Sequence, residues 1–456
     1  MGFNIMEEYD AIIVGAGTAG ALAAKTIAKS GLNACIVEKL EHENVGIKVC
    51  GEAVGEHHLN DLKLGRPTNG ALGNKIQGIK VYSPDRETVF TVASDDFKGY
   101  MLDRQLFGQW LLGEALDSGA ELLDSTMFLE PIIHKESVKG IVARGPDGRV
   151  ELRSKVVVDA TGYYGAVRRS LPEFMGIEHD FAGEDVEICY REVIQMRDEP
   201  DNMDYCDIYL NQSITPGGYT WIFPKKNAQM NLGLGVYMKK GFQNPKKLYF
   251  EHDLIQSYHK GSTSLKMGGG MVPTRRPLDK IVANGVVIIG DAASLVNPIH
   301  GGGIGPSMKS GFYAGEAIVK AIEDENTSEE ALWPFASEYM RLYGKKQASL
   351  DIFRRFLIGA EDNDMNYGMK NEILTEDDVL NAGLGENFGM DLPEKLKRVI
   401  RGISHLGFIN KLRITVSMMK EIKAHYDTYP ESPVGFEKWQ KKTIELIDTA
   451  RTKLQD

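Results

Sequence analysis

The residues that most restrict this chain lie near its start. Ala11-Ile12-Ile13-Val14 is an unbroken apolar run, the composition of a strand buried on both faces of a parallel sheet. Gly15-Ala16-Gly17-Thr18-Ala19-Gly20 follows and leads into an alanine-rich helical stretch ending near Lys29. In a strand–turn–helix of this kind the first glycine permits the tight turn and the second lets backbone close on a pyrophosphate. The third lets the helix lie against the strand, and the helix N-terminus adds free amides and the positive end of a dipole. Gly31 stops the helix, and Ala34–Val37 predicts a second strand. Glu38 stands 18 residues after Gly20, where a carboxylate can accept ribose hydroxyls. The unit is complete and predicts a dinucleotide site built from Gly15, Ala16, Gly17, Ala19, Gly20, Glu38 and the adjoining Lys39.

Two later segments decide which dinucleotide. Val286–Ile289 reads as another buried strand and runs into Gly290-Asp291, then Asn297-Pro298, His300, Gly301-Gly302-Gly303-Ile304 and a helical pattern from Met308. Val156-Val157-Val158-Asp159-Ala160-Thr161-Gly162 reads as a strand and turn. Together with the N-terminal unit, these resemble the glutathione-reductase-type FAD superfamily. The resemblance implies that Asp291 meets the ribityl chain and that the turn at Ala160 and Gly162 approaches the nucleotide. Arg104, which opens a helical segment, matches the superfamily's early FAD-contacting arginine. Gly290 and the side-chain-free amides of Gly301, Gly302 and Gly303, with Ile304, fit the flavin edge or pyrophosphate. Gly233-Leu234-Gly235 lacks a third glycine and a following helix, so no second dinucleotide domain is expected. The electron donor is then NAD(P)H docking transiently, or a ferredoxin-like protein.

Tyr219-Thr220-Trp221-Ile222-Phe223-Pro224, followed by Gly233-Leu234-Gly235, is similar to the YxWxFP…GxG signature of the geranylgeranyl reductase family, in particular its archaeal digeranylgeranylglycerophospholipid reductases. The likeness extends over nearly the whole chain and includes Lys48–Val54 and Val272–Leu278. It implies FAD-dependent reduction of isolated carbon–carbon double bonds in the geranylgeranyl chains of archaeal ether lipids. Alternation places Tyr219, Trp221 and Phe223 on one strand face, an apolar wall for an isoprenoid chain, with Gly233 beside it. An isolated alkene has no carbonyl to take up charge, so hydride transfer needs an acid that supplies a proton. Cys50, which also joins Gly51 in a loop expected near the flavin, and His300 are the two candidates. The rival reading is a flavin-dependent monooxygenase or halogenase, and Asp159–Arg168 loosely resembles a hydroxylase segment; a halogenase is expected to carry WxWxIP in place of YxWxFP. A carrier that holds isoprenoid without turnover is a third reading, and it has no use for Asp291 or the glycine loop.

Composition bounds the rest. A length of 456 residues allows about two or three structural units. The FAD motifs, spread early, middle and late, imply with the resemblance an α/β fold: a Rossmann-type FAD-binding domain in three segments (1–64, 100–180, 271–345), an antiparallel-sheet substrate domain (65–99, 181–270) and a mostly helical C-terminal region (346–456). A net charge of −11 argues against nucleic-acid partners. Cys35, Cys50, Cys189 and Cys206 form no CxxC pair, as expected in a reducing compartment, and no metal site is read. The N-terminus carries Glu7 and Glu8 rather than a signal-peptide pattern, and the apolar runs fall short of the ~20 residues that span a bilayer. A cytoplasmic location is expected. Residues 395–423 hold eight basic residues against Glu421, and their interleaved apolar residues fit either peripheral contact with the inner face of the membrane or an amphipathic helix packed on the protein.

Overall fold

The computed structural model describes residues 7–94, 98–238, 243–384 and 405–455. Strand β1 (Glu7–Val14) lies at the centre of an eight-stranded sheet, paired in parallel with β2 (Ala34–Val37) and β11 (Gly148–Asp159). Ala11, Ile12 and Ile13 lose all contact with solvent, which is why an uninterrupted apolar run is needed there. β8 (Glu121–Leu123) and β18 (Val286–Ile288) extend the parallel core on its two sides. β17 (Val282–Ala283) and the hairpin of β9 (Met127–His134) and β10 (Ser137–Gly145) add antiparallel pairs. Helix Thr18–Lys29 packs against helix Ile304–Glu323, and glycines make the fit possible: a Cβ on Gly311 would stand 2.2 Å from the Ala19 carbonyl oxygen.

A second sheet has seven strands in the order β16-β12-β15-β14-β13-β5-β6. These are β5 (Gly78–Tyr82), β6 (Val89–Ala93), β12 (Val186–Gln195), β13 (Tyr205–Tyr209), β14 (Thr220–Lys225), β15 (Gln229–Tyr237) and β16 (Thr263–Pro273). All pairs are antiparallel except β13 with β5. A wholly antiparallel sheet was the expectation. The β5–β6 hairpin arrives from far upstream rather than through a short turn, so its direction is not constrained by a hairpin link to β13. Residues 65–99 divide: β4 (Leu72–Ile76) joins β3 (Ala53–Gly55) and β7 (Gly99–Leu102) in a three-stranded sheet between the two larger ones.

The C-terminal part is helical. Helix Glu329–Tyr339 continues through a π-helical turn, Met340–Gly344, into helix Lys345–Ile358. That helix is tied to the start of β12 by buried charge: Asp185 accepts from Arg354 (2.9 Å) and Arg355 (3.1 Å), and both arginines also bond Asp351. Helices Leu406–Asp427 and Phe436–Gln455 pack on it.

Candidate active site

One cavity of about 1580 Å³ runs from the turn after β1 to the floor of the seven-stranded sheet and on to the helix at Phe353. Single small-ligand pockets occupy ~300–1,000 Å³, so this one has room for two molecules end to end.

At the first end, Gly15 adopts φ +106°, and a Cβ there would stand 2.5 Å from the Ala160 carbonyl oxygen. Gly17 precedes the helix with no side-chain cap, which leaves the first-turn amides facing the cavity. Glu38 bonds the turn itself, accepting from the Ala16 amide at 2.8 Å and the Leu40 amide at 3.0 Å. Lys39 lies over the Tyr164 ring. Asp159 folds the turn at Ala160–Gly162 by accepting from the Thr161 amide (3.0 Å) and hydroxyl (2.6 Å) and the Arg168 amide (2.7 Å); burial, opposed by these bonds, pushes its carboxyl above the usual range. Gly162, at φ +71°, faces open space. From the far side come Gly290 and Asp291, the latter paired with Lys48 at 2.8 Å, then Gly301, Gly302, Gly303 and Ile304, where a second uncapped helix begins.

The residues here fit a dinucleotide, and Arg104 is the decisive one. Its buried guanidinium donates to the Thr18 hydroxyl at 2.6 Å, while Nε and Nη1 meet no partner. A buried cation with two open donors, beside the uncapped start of helix Thr18–Lys29, is suited to an anionic group. Gly20 is the exception among the sequence-predicted cofactor residues. It does not line the cavity but lies beneath the turn, where a Cβ would stand 1.9 Å from the Gly15 carbonyl oxygen.

The other end is the inner face of the seven-stranded sheet. Strand register sets its side chains in rows: Val272, Glu187 and Tyr237; then Gly270, Cys189 and Gly235; then Gly268, Arg191, Gly233 and Trp221; then Val193, Asn231 and Phe223. Tyr219 stands beside Gly235, whose amide bonds the Tyr219 carbonyl, and its hydroxyl donates to the His300 carbonyl at 2.7 Å. The centre of the floor is thus glycine, rimmed by three aromatic rings. Gly233 was expected to meet substrate; it does not line the cavity. A Cβ on it would stand 2.2 Å from the Trp221 ring and 2.7 Å from the Arg191 Cβ, so its work is to seat the indole.

The Cys50 loop closes over this floor. Val49 covers Gly268, and Gly51 sits against Phe223. Asn231, fully buried, accepts from the Trp221 indole at 2.9 Å and donates to the Cys50 carbonyl at 3.0 Å. Glu52 (4% exposed) holds a φ of +65° and is anchored by Arg191 at 3.3 Å and by Lys225. His300 accepts the Gly302 amide on Nδ1 at 3.1 Å. Asn231, Glu52, Arg191, Lys225, Glu187 and Cys189 were not singled out in the sequence. The period-2 pattern of β12 carries three of them on one face, but nothing local says which face meets a cavity. Nor was His58, whose ring lies against Gly305 and whose imidazole is held neutral by burial, then by the charges of His57, Lys309 and His300. Burial likewise raises the thiols of Cys189 and Cys206.

Comparison with known proteins decides the family. Residues 185–272 match the model of the geranylgeranyl reductase catalytic domain. The digeranylgeranylglycerophospholipid reductase of Sulfolobus acidocaldarius is 39% identical over 443 residues, covering 96% of this chain and 97% of that one. The chain belongs to the digeranylgeranylglycerophospholipid reductase family. The reductase is therefore an oxidoreductase, and its fold recurs in solved structures. A geranylgeranyl bacteriochlorophyll reductase-like protein of Thermoplasma acidophilum superposes with a TM-score of 0.77 at 24% identity, covering 90% of this chain and 100% of that one. A flavin-dependent brominase superposes with a TM-score of 0.65 at 22% identity, covering 86% and 98%.

Proposed function

We propose that this reductase binds FAD and reduces isolated double bonds in the geranylgeranyl chains of ether phospholipids. The observation that carries the reading is the continuity of the cavity from an open dinucleotide turn to a glycine floor walled by Tyr219, Trp221 and Phe223. The uncapped helices at Thr18 and Ile304, Arg104, Glu38 and Asp291 would hold the cofactor, which when reduced supplies a hydride equivalent. The division of the chain into cofactor segments 1–64, 100–180 and 271–345, substrate segments 65–99 and 181–270, and a helical region 346–456 belongs to the same proposal.

The sheet floor excludes water from the alkene and the aromatic wall orients it, so that a proton delivered there is not lost to solvent. Cys50 and His300 both reach this cavity and are the proton donors proposed from the sequence. Electrons come from NAD(P)H or a ferredoxin-like protein. The proposed location is cytoplasmic, with contact to the inner face of the membrane at the cavity rim, where Ile47 and Met267 are exposed.

The deciding experiment incubates the purified holoprotein, chemically reduced under anaerobic conditions, with a geranylgeranyl ether phospholipid, and reads the lipid by mass spectrometry. Gain of two hydrogens per double bond is expected. Unchanged lipid together with oxygen-dependent NAD(P)H oxidation would overturn the reading in favour of a monooxygenase.

A further inference from the structure

Glu187 is a buried carboxyl with nothing to hold it. It is 6% exposed, it lines the cavity, and among the described residues no side chain or amide hydrogen-bonds to it. The other buried acids among the described residues are treated differently: Glu52, Glu192, Asp159, Asp185, Asp207, Asp279, Asp291, Asp351 and Asp378 each accept hydrogen bonds or pair with a cation. An unpartnered buried carboxylate is costly enough that a fold tolerates it mainly where the neutral acid is the useful form.

The surroundings fit that form. Gly235 leaves the carboxyl uncovered on the β15 side, where a Cβ would stand 3.3 Å from Oε2. In register on β16 lies Val272, whose Cγ1 is 3.5 Å from the Cβ position of Gly301 in the glycine loop. The titratable and charged groups that face Glu187 are Cys189 on its own strand, Tyr237 opposite it on β15, Tyr219 ahead of β14, and Arg354 on helix Lys345–Ile358. Arg354 is committed to Asp351, Asp185 and the Glu184 carbonyl, and the other three are neutral, raised by burial. Burial, only partly offset by Arg354, pushes the Glu187 carboxyl up to about 7. The acid therefore stands where the glycine loop meets the apolar chamber, protonated in mildly acidic conditions.

We propose that Glu187 is a catalytic acid of this chamber, giving its proton to one carbon of the alkene that lies over the glycine floor. The inference rests on the reductase reading above. The alkene π pair forms the new C–H bond to that proton as the O–H bond of Glu187 breaks to leave its carboxylate, and the adjacent carbon would take the hydride equivalent that a bound, reduced flavin supplies. Water then restores the carboxyl. In all, two hydrogen nuclei and two electrons are added, one nucleus as the proton of Glu187 and the other with both electrons as the hydride equivalent, and the product is the saturated bond.

The test compares holoprotein and Glu187→Gln in anaerobic single turnovers on geranylgeranyl ether phospholipid between pH ~5.5 and ~9, with general acid catalysis contributing roughly 10²- to 10⁴-fold. The wild-type rate is expected to fall tenfold per pH unit above about 7. The variant is expected to keep its flavin absorbance, to be at least ~10²-fold slower at acid pH, and to lose that pH dependence. A readout independent of turnover is the infrared carbonyl band of a protonated carboxyl in the oxidised holoprotein, titrating near 7 and absent from Glu187→Gln. A wild-type protein that reduces the lipid alongside an equally fast variant overturns the role of Glu187 alone. Unreduced lipid with wild-type protein overturns the reductase reading, and this inference with it. Should the variant fail to fold, a wild-type rate that stays flat through pH ~7 overturns the proposal.

Discussion

Asn231 joins two parts of the site because an amide is a side chain that accepts at one atom and donates at another. It takes the indole N–H of Trp221, which is buried, and gives to the carbonyl of the half-buried Cys50. Asn231→Ala strands both groups, and a buried unmet donor or acceptor costs about 1–3 kcal/mol. Destabilisation of that order is expected in urea unfolding of the holoprotein, with turnover reduced further because the Cys50 loop loses its register on the aromatic wall. Asn231→Asp keeps the acceptor and loses the donor, so it is expected to leave Trp221 fluorescence near wild type while still impairing turnover. Glu187 supplies a prediction of opposite sign. Its carboxyl has an ordinary value near 4.5 when unfolded and about 7 when folded, so its favourable contribution is whole below 4.5 and is lost as pH rises through 7. At pH 8 the folded protein carries a penalty of roughly 3 kcal/mol, from ~1.36 kcal/mol per unit. Glu187→Gln escapes it. The variant is expected to be more stable than wild type at pH 8, with the difference shrinking toward pH 5 in paired urea titrations.

At the scale of elements, the parts legible in the sequence are those whose geometry is local. The turn after β1 needs φ +106° at Gly15 and an uncapped helix start at Gly17, and both follow from residues next to each other in the chain. The glycine loop ahead of Ile304 was readable for the same reason. What escaped the sequence depends on pairing across strands. Gly233 was read as touching substrate because a GxG flanks the aromatic strand, yet its partner is fixed by the β14–β15 register, which sets it opposite Trp221. Glu187, Cys189 and Arg191 share one face of β12 while helices Pro245–Glu251 and Asp253–His259 pack on the other through Tyr190, Ile194 and Leu234, a division no local signal gives. The parallel join of β13 to β5 likewise links segments too distant for any local signal. Gly233→Ala tests the reassignment. A methyl 2.2 Å from the indole must displace Trp221. Holoprotein with normal flavin content, a shifted tryptophan emission and at least tenfold weaker lipid turnover is expected, a loss of ~1.4 kcal/mol or more. Unchanged emission with weakened lipid binding would restore the glycine to the substrate contact.

At the scale of the whole molecule the question is how an enzyme with no spanning helix among its described residues reaches a lipid. The segment 395–423 offered an amphipathic surface, and its first part, 395–404, lies outside the described residues. In the remainder, Phe408, Ile409, Leu412, Val416, Met418, Met419 and Ile422 are buried against helices Lys345–Ile358 and Phe436–Gln455, which leaves Arg413 and Lys420 as a solvated face. The apolar stripe is thus spent on the protein's own core. Exposed apolar side chains occur instead where the cavity meets solvent: Ile47 is 57% and Met267 60% exposed, with Lys48 and Lys266 beside them. Seating such side chains in a bilayer would bring the cavity mouth to the acyl chains, each gaining at most ~1.5–3 kcal/mol. An Ile47→Glu, Met267→Glu protein removes that gain and adds two charges that resist burial, without touching the floor or the cofactor turn. It is expected to reduce lipid dispersed in detergent micelles at the wild-type rate, and lipid held in vesicles at least tenfold more slowly, with correspondingly less protein sedimenting with the vesicles. Equal rates on both substrates would mean that lipid reaches the cavity by another route, such as delivery of single molecules by a carrier.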